Sequence, residues 1–191
     1  MEKWQTGLIA ICCIIAALVF VIVVPIGWTT GTYNDLVTKE EKVANQWSEV
    51  TNQYQRKIDL IDQLVNMSRE YANYENSTLE QITSLRTQWN NPQPGQDLEE
   101  ATDQFDDLAN SIIIQVEAYP ELVASELYLS TMDTIAGTEN RITVARMNYN
   151  EAVRDYNTQI RQFPDSMVAN TFGFEKKVYF QSSAGPNQPG S

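Results

Sequence analysis

Histidine is absent from all 191 residues, and cysteine occurs only as the adjacent pair Cys12 and Cys13. Without histidine there is no Ser-His or Cys-His nucleophile pair and no histidine-ligated zinc or haem. The Glu-x-x-His di-iron site of ferritin-like bundles is excluded as well. Two neighbouring cysteines inside an apolar run form neither a CxxC site nor a disulfide framework. Basic residues are scarce, with 13 Lys and Arg against 25 Asp and Glu and a formal net charge of -12. Nucleic acid is therefore not an expected partner, because phosphate binding needs a basic stripe. The glycines make no phosphate-cradling loop, and the acidic stretches contain no D-x-D-x-D-G calcium loop. No run of alternating β-branched residues predicts a sheet. The length fits one domain of moderate size plus an attachment.

That attachment is at the N-terminus. From Gly7 to Trp28 the chain carries no charge. At ~1.5 Å rise per residue the run matches the ~30 Å of a hydrocarbon core. Trp4 before it, and Trp28 and Tyr33 after it, stand where interfacial aromatics are favoured. A cleaved signal peptide would have an apolar run of only ~7–15 residues ending in small residues. This one is longer and ends in Pro25-Ile26-Gly27-Trp28, so a single-pass anchor is the expectation. Bulky Ile11 and Cys12 ahead of the candidate cysteines argue against lipid modification, and the thiols read as small apolar fillers. Lys3 on one side and Lys39 and Lys42 on the other leave the orientation open. The Gly27-x-x-x-Gly31 spacing stands at the exit of the run, where a flexible exit outweighs a dimerisation face.

Beyond the anchor, apolar residues recur at spacings of three and four. The first stripe is Leu36, Val43, Trp47, Val50, Tyr54, Ile58, Ile61, Val65, Ala72, Leu79, Ile82 and Trp89. Neither Gly nor Pro interrupts Tyr33 to Asn91, which predicts one long first helix with room to continue from the span. The turn cluster from Asn90 to Gln96 ends it. A second stripe holds Leu98, Ala101, Phe105, Leu108, Ile112, Val116 and Tyr119, with acidic residues at its start and Pro120 breaking or restarting it. A third runs through Leu127, Ile135, Ile142, Ala145, Tyr149, Val153, Tyr156, Ile160 and Phe163. Gly137 interrupts this last stripe, Phe163-Pro164 closes it, and Asp165–Phe172 adds a short turn or two. The expected fold class is all-α: an N-terminal single transmembrane helix, then an antiparallel bundle of long helices with coiled-coil-like packing. Ser68, Glu75 and Arg86 fall at or beside seam positions, where polar residues fix register. Val37, Leu60 and Leu64 lie off the main stripe and either widen the core face or mark a lateral contact.

Chemistry is thin. The carboxylate pairs Glu99/Glu100 and Asp106/Asp107 lie in a segment without Lys or Arg and read as a solvated face. Acid–base work would need one of them desolvated in a cleft. The glycosylation-like triplets at Asn66 and Asn76 fall in predicted helix. No catalytic, cofactor-binding or metal-ligating residue is expected, and no cofactor. Glu139 and Arg146, two turns apart, and Arg56 and Asp59, one turn apart, are expected to meet as an internal ion and hydrogen-bond network. Such a network would enforce helix alignment.

The motif order resembles one family, the LemA proteins. Tyr33-Asn34-Asp35-Leu36-Val37 resembles its opening element, and Gln55 to Ile61 followed by Leu64-Val65 resembles its QRRxDLIPNLV element. Glu117-Ala118-Tyr119-Pro120-Glu121-Leu122 is similar to Glu-Ala-Tyr-Pro-x-Leu. Gly137 to Asn157 carries the GTENRI/AR/YN/YN pattern, with Phe163-Pro164 and Phe172-Gly173-Phe174 completing it. Asp62 replaces a frequent proline, and Arg69-Glu70 replaces lysine-glycine, so the first helix should be straighter and more continuous. The resemblance implies a bacterial membrane protein with an anchor at 1–32 (crossing at about 7–28) and a LemA-like helical bundle at 33–180. A disordered tail occupies 181–191.

It implies no catalytic activity; some relatives serve membrane-organelle formation, and others are encoded near membrane metalloproteases. The functional expectation is a non-enzymatic scaffold or interaction protein that recruits or organises proteins at the bacterial cell membrane. The alternative is an accessory subunit or substrate adaptor of a membrane protease. Expected partners are the lipid bilayer, other proteins and a further copy of the chain. Monomer, dimer and membrane-bound array all stay open. Asp97 to Glu126 carries no cation, which favours a basic partner surface.

Overall fold

A helix grows as long as its side chains can follow one stripe, and this chain supplies such stripes almost without interruption. The computed structural model describes the backbone of residues 3–69, 76–90, 92 and 98–180. The side chains of residues 3–11, 18, 76–77 and 98–101 are not part of that description. Ala72, Glu75, Glu70-Tyr71, most of the turn cluster at 90–96 and the tail at 181–191 lie outside the described residues. So do the side chains of Trp4, Leu98, Glu99, Glu100 and Ala101.

Among the described residues six helices stand in chain order: α1 Lys3–Ser68, α2 Asn76–Asn90, α3 Leu98–Glu117, α4 Pro120–Val123, α5 Glu126–Gln159 and α6 Asp165–Phe172. No strand occurs among the described residues. Contacts divide the chain into two compact units, Met1–Glu41 with Tyr156–Lys176, and Lys42–Asp155 with Lys177–Ser191.

The single helix predicted over Tyr33 to Asn91 is two helices, which corrects the expectation of greater continuity. α1 ends at Ser68, fully buried, whose hydroxyl donates back to the carbonyls of Leu64 at 2.8 Å and Val65 at 3.1 Å. No glycine or proline marks the end, and α1 and α2 each keep the three-four spacing, so the pattern alone cannot show the interruption. At the other end α1 runs unbroken through Pro25, Gly27 and Gly31, so the exit is helix and not a flexible hinge. Thr29 and Thr30 donate to the carbonyls of Pro25 and Ile26, at 2.7 and 2.8 Å. A Cβ added at Gly27 or Gly31 meets nothing within 4 Å, so neither glycine answers a close approach.

In the larger unit the predicted stripes are the core. Val43, Trp47, Val50, Tyr54, Ile58, Ile61 and Val65 of α1 are buried, with Ile82 and Trp89 of α2, Phe105, Leu108, Ile112 and Val116 of α3, and Ile135, Ile142, Ala145, Tyr149 and Val153 of α5. Leu64 is buried too and widens the α1 stripe, while Val37 and Leu60 are half-buried. Leu127 departs from expectation at 52% exposed, and Tyr128 takes its place. The phase explains this: Tyr128, Thr131, Ile135, Thr138, Ile142, Ala145 and Tyr149 alternate steps of three and four, and Leu127 is one residue out. Thr131 and Thr138 enter the buried face because their hydroxyls bond the helix itself, at Leu127 and Thr134 carbonyls 2.8 Å away. Gly137 is open on the outer side, with nothing within 4 Å of an added Cβ.

In the smaller unit Leu36, Tyr156, Ile160, Val168 and Ala169 are buried. The Gln159 amide nitrogen donates to Asp35 at 2.5 Å and Asp165 at 3.1 Å, and the Thr32 hydroxyl reaches Asp165 at 3.4 Å. Tyr33 packs edge-on against Phe172 and Phe174, ring centroids 4.9 and 5.6 Å apart. Gly173, at φ 76°, ends α6 in the left-handed conformation that costs a glycine little. Phe163, predicted as the last stripe residue, is 81% exposed because α5 has ended at Gln159 and the helical phase no longer applies.

Candidate functional site

The candidate site lies in the larger unit, where two cations leave water. Lys57 stands between Tyr54 and Ile61 on the apolar stripe of α1 and is only 3% exposed. Its ammonium pairs with Asp106 of α3 at 2.6 Å and with Glu139 of α5. The ammonium also lies 4.9 Å from the centroid of Phe105. One cation thus joins three helices. Both carboxylates are about half exposed, at 46% and 50%, so the junction is dry on the lysine side and wet on the acid side.

Arg146 of α5 is compensated by rings. Its guanidinium lies 5.2 Å from the Tyr54 centroid and 4.6 Å from that of Phe180. The negative faces of aromatic rings attract a cation so placed. The Nε is buried and has no hydrogen-bond partner among the described residues. Burial pushes the guanidinium pKa down to about 10. Tyr54 stacks on Trp89 at 3.8 Å, and Trp47 contacts Tyr149 and Phe180 at 5.2 and 6.2 Å.

The backbone after Gly173 is not helical, yet its end is held firmly. The Asn150 amide nitrogen donates to the Phe180 carbonyl at 3.0 Å, and the Phe180 N–H donates to Asn150 Oδ1 at 2.8 Å. The Tyr149 hydroxyl donates to the Val178 carbonyl at 2.8 Å, and burial raises its pKa to about 12. Two more bonds close the other side: Trp47 Nε1 to the Pro92 carbonyl and Gln55 to the Trp89 carbonyl, both 3.0 Å.

The predicted four-residue network is not assembled as anticipated. Glu139 meets Lys57, Arg146 meets rings, and Asp59 pairs with Arg86 at 3.4 Å. Arg56 is exposed and makes no ion pair among the described residues. Arg86, anticipated as a polar seam residue, bridges from α2 to Asp59 and Asp62 of α1 on the surface. Spacing places Arg56 and Asp59 on a common flank of α1, but that flank faces out. Sequence reasoning missed Lys57, Asp106 and Phe180. The available signal was the position of Lys57 among Tyr54, Ile58 and Ile61, which puts a lysine inside an apolar stripe.

Chemically the arrangement fastens helices. The cations are engaged with carboxylates and rings, and among the described residues no group of His, Cys, Asp or Glu converges as metal ligands. Between α2 and α3 runs a groove of about 360 Å³ lined by Gln81, Ser84, Leu85, Gln104, Asp107 and Ser111.

Among the described residues there is helix and no strand, and the N-terminal helix is long and apolar enough to cross a membrane, which are marks of a membrane-associated helical protein. Within that class the LemA family model matches residues 46–189, and this chain belongs to the LemA family. Protein LemA of Metamycoplasma hominis is 28% identical over 154 residues, covering 80% of this chain and 70% of the relative. Magnetosome protein MamQ 2 of Paramagnetospirillum magneticum is 24% identical over 183 residues, covering 82% and 67%. Magnetosome protein MamQ of Magnetospirillum gryphiswaldense is 22% identical over the same length and shares.

Proposed function

We propose that this protein is a membrane-anchored, non-enzymatic scaffold that recruits or organises other proteins at the bacterial cell membrane. Residues 1–32 anchor it by a single pass, and the following helices pack as an antiparallel bundle with coiled-coil-like seams. Residue pairs support that packing. Trp89 on Tyr54 and Arg86 on Asp59 and Asp62 run in opposite directions along α2 and α1. Tyr149 on Trp47 and Glu139 on Lys57 do the same for α5 and α1, whereas Thr102 on Tyr54 and Asp106 on Lys57 rise together. Up-down alternation of four helices follows, the topology of short-loop bundles.

The observation that carries the recruiting role is the acidic stretch without a cation from Asp97 to Glu126. Asp103, Asp107, Glu117, Glu121 and Glu126 are exposed along it, and Asp107 opens on the α2–α3 groove. A surface of one sign attracts a basic partner at long range and loses that attraction as salt screens it. Kinship with proteins named for the magnetosome supports an organising role.

The test is extraction of the full chain in mild detergent, with native mass spectrometry of whatever co-purifies. The complex should weaken between low and high salt, and the triple variant D103K/D107K/E117K should lose the partner. A partner that stays bound through both changes defeats the assignment of this surface. A homo-oligomer of defined mass with no partner would move the organising role to self-assembly.

A further inference from the structure

The end of α5 and the short helix α6 lie beside the turn of α1 that follows the apolar run. Gln159 is bonded to Asp35 and Asp165 to Thr32, so the turn between them carries the chain three residues along α1 towards the span. Phe163 occupies that turn and is 81% exposed. α6 then begins against Thr32, through Asp165, and ends against Tyr33, through Phe172. Both ends of α6 thus stay beside one turn of α1. The inner side of α6 buries Val168 and Ala169 and carries Phe172, 54% exposed, against Tyr33, while Met167 on the outer side is 59% exposed. Trp28, the aromatic that closes the apolar run, is four residues before Thr32, about 6 Å along the helix.

We infer that this corner of the smaller unit is a second membrane contact. Phe163 and Met167 seat in the headgroup region of the same bilayer that holds the apolar run. Three observations favour lipid as the occupant. Phe163 and Met167 are exposed close to the membrane exit, the aromatics Trp28 and Tyr33 flank the turn of α1 beside them, and no described residue covers Phe163. An aromatic ring is favoured at that depth. Exposed apolar groups gathered in one place mark such contacts. The inference rests on the reading of Gly7 to Trp28 as a span.

Depth-dependent quenching tests it on the full chain. In a C12A/C13A background, single cysteines are introduced as Phe163→Cys, Met167→Cys, Phe20→Cys and Glu41→Cys. Each is labelled with an environment-sensitive fluorophore in phosphatidylcholine vesicles, with and without lipid carrying a nitroxide near the top of the acyl chain. Exposed side chains at all four positions make folding insensitive to the changes. Labels at 163 and 167 should shift to the blue and lose emission to the nitroxide lipid. The label at 41, about 20 Å along α1 from Trp28, should keep its emission. If position 20 is quenched while 163 and 167 behave like 41, the second contact is overturned and the span stands. Loss of quenching at position 20 as well overturns both. A blue shift at 163 and 167 that depends on protein density and ignores nitroxide lipid overturns the proposal in favour of a second copy.

Discussion

Two cations enter the interior of the larger unit, and each is compensated by a different chemistry. Lys57 keeps its full charge partnership, two carboxylates from two other helices. Arg146 has ring faces instead, and an Nε with no bond among the described residues. The difference follows from the head groups. An ammonium is a compact, strongly hydrated charge that needs anionic or strongly polar partners, whereas a planar, weakly hydrated guanidinium can stack. Lysine therefore ties helices through acids that reach in from the surface, and arginine fastens its helix to α1 and the terminal segment through rings.

The sharpest break of this comparison comes from stranding the lysine. D106N/E139Q leaves Lys57 buried without a countercharge and should destabilise the fold by about 3–5 kcal/mol, read as a drop in the urea midpoint. K57M, which leaves two carboxylates free to return to water, should cost no more than about 1 kcal/mol. Equal losses from the two changes would show that the ammonium is not desolvated.

Phe180 comes next. F180A removes one ring from Arg146 and opens the space beside Trp47, at a cost of about 3 kcal/mol. A second readout accompanies it. The Tyr149 phenol, held near about 12 by burial, should fall towards 10.0 as the terminal segment lets go. The sign is that of an acid kept neutral by folding: its stabilisation is complete below pH 10 and is lost as pH rises from 10 to about 12. Phenolate absorbance against pH distinguishes the two proteins.

Smaller effects refine the contrast. R146M keeps bulk and loses the cation–ring attraction, so thermal denaturation should show a loss of about 1–2 kcal/mol. Arg86 provides the exposed reference. It pairs with Asp59 and Asp62 from a half-exposed position, and D62N should cost less than about 1 kcal/mol, with the effect fading in high salt. A large and salt-resistant loss there would place Arg86 with Lys57.

Much of the fold was legible because burial repeats with the helical period. The stripe through Trp47, Val50, Tyr54, Ile58 and Ile61 lies in the core as anticipated, and so does the one through Phe105, Leu108 and Ile112. The pattern misjudged the ends of helices. Leu127 fell one residue out of phase, and α1 ended at Ser68 without any breaker residue. Of the candidate site, the sequence singled out Glu139 and Arg146 but not their partners. Which carboxylate meets which cation depends on residues 49 and 82 positions away from Lys57, a separation no local spacing encodes.

By itself the amino-acid sequence determined the helical class, the apolar N-terminal run, the excess of acid and the family, because each is written in composition, period or ordered motifs. Tertiary structure alone decided that Lys57 and not Arg56 becomes the junction, that Arg146 finds rings, and that Phe180 returns to cover them. A buried charge is tolerated only where distant groups converge on it, and that convergence exists only in the folded chain.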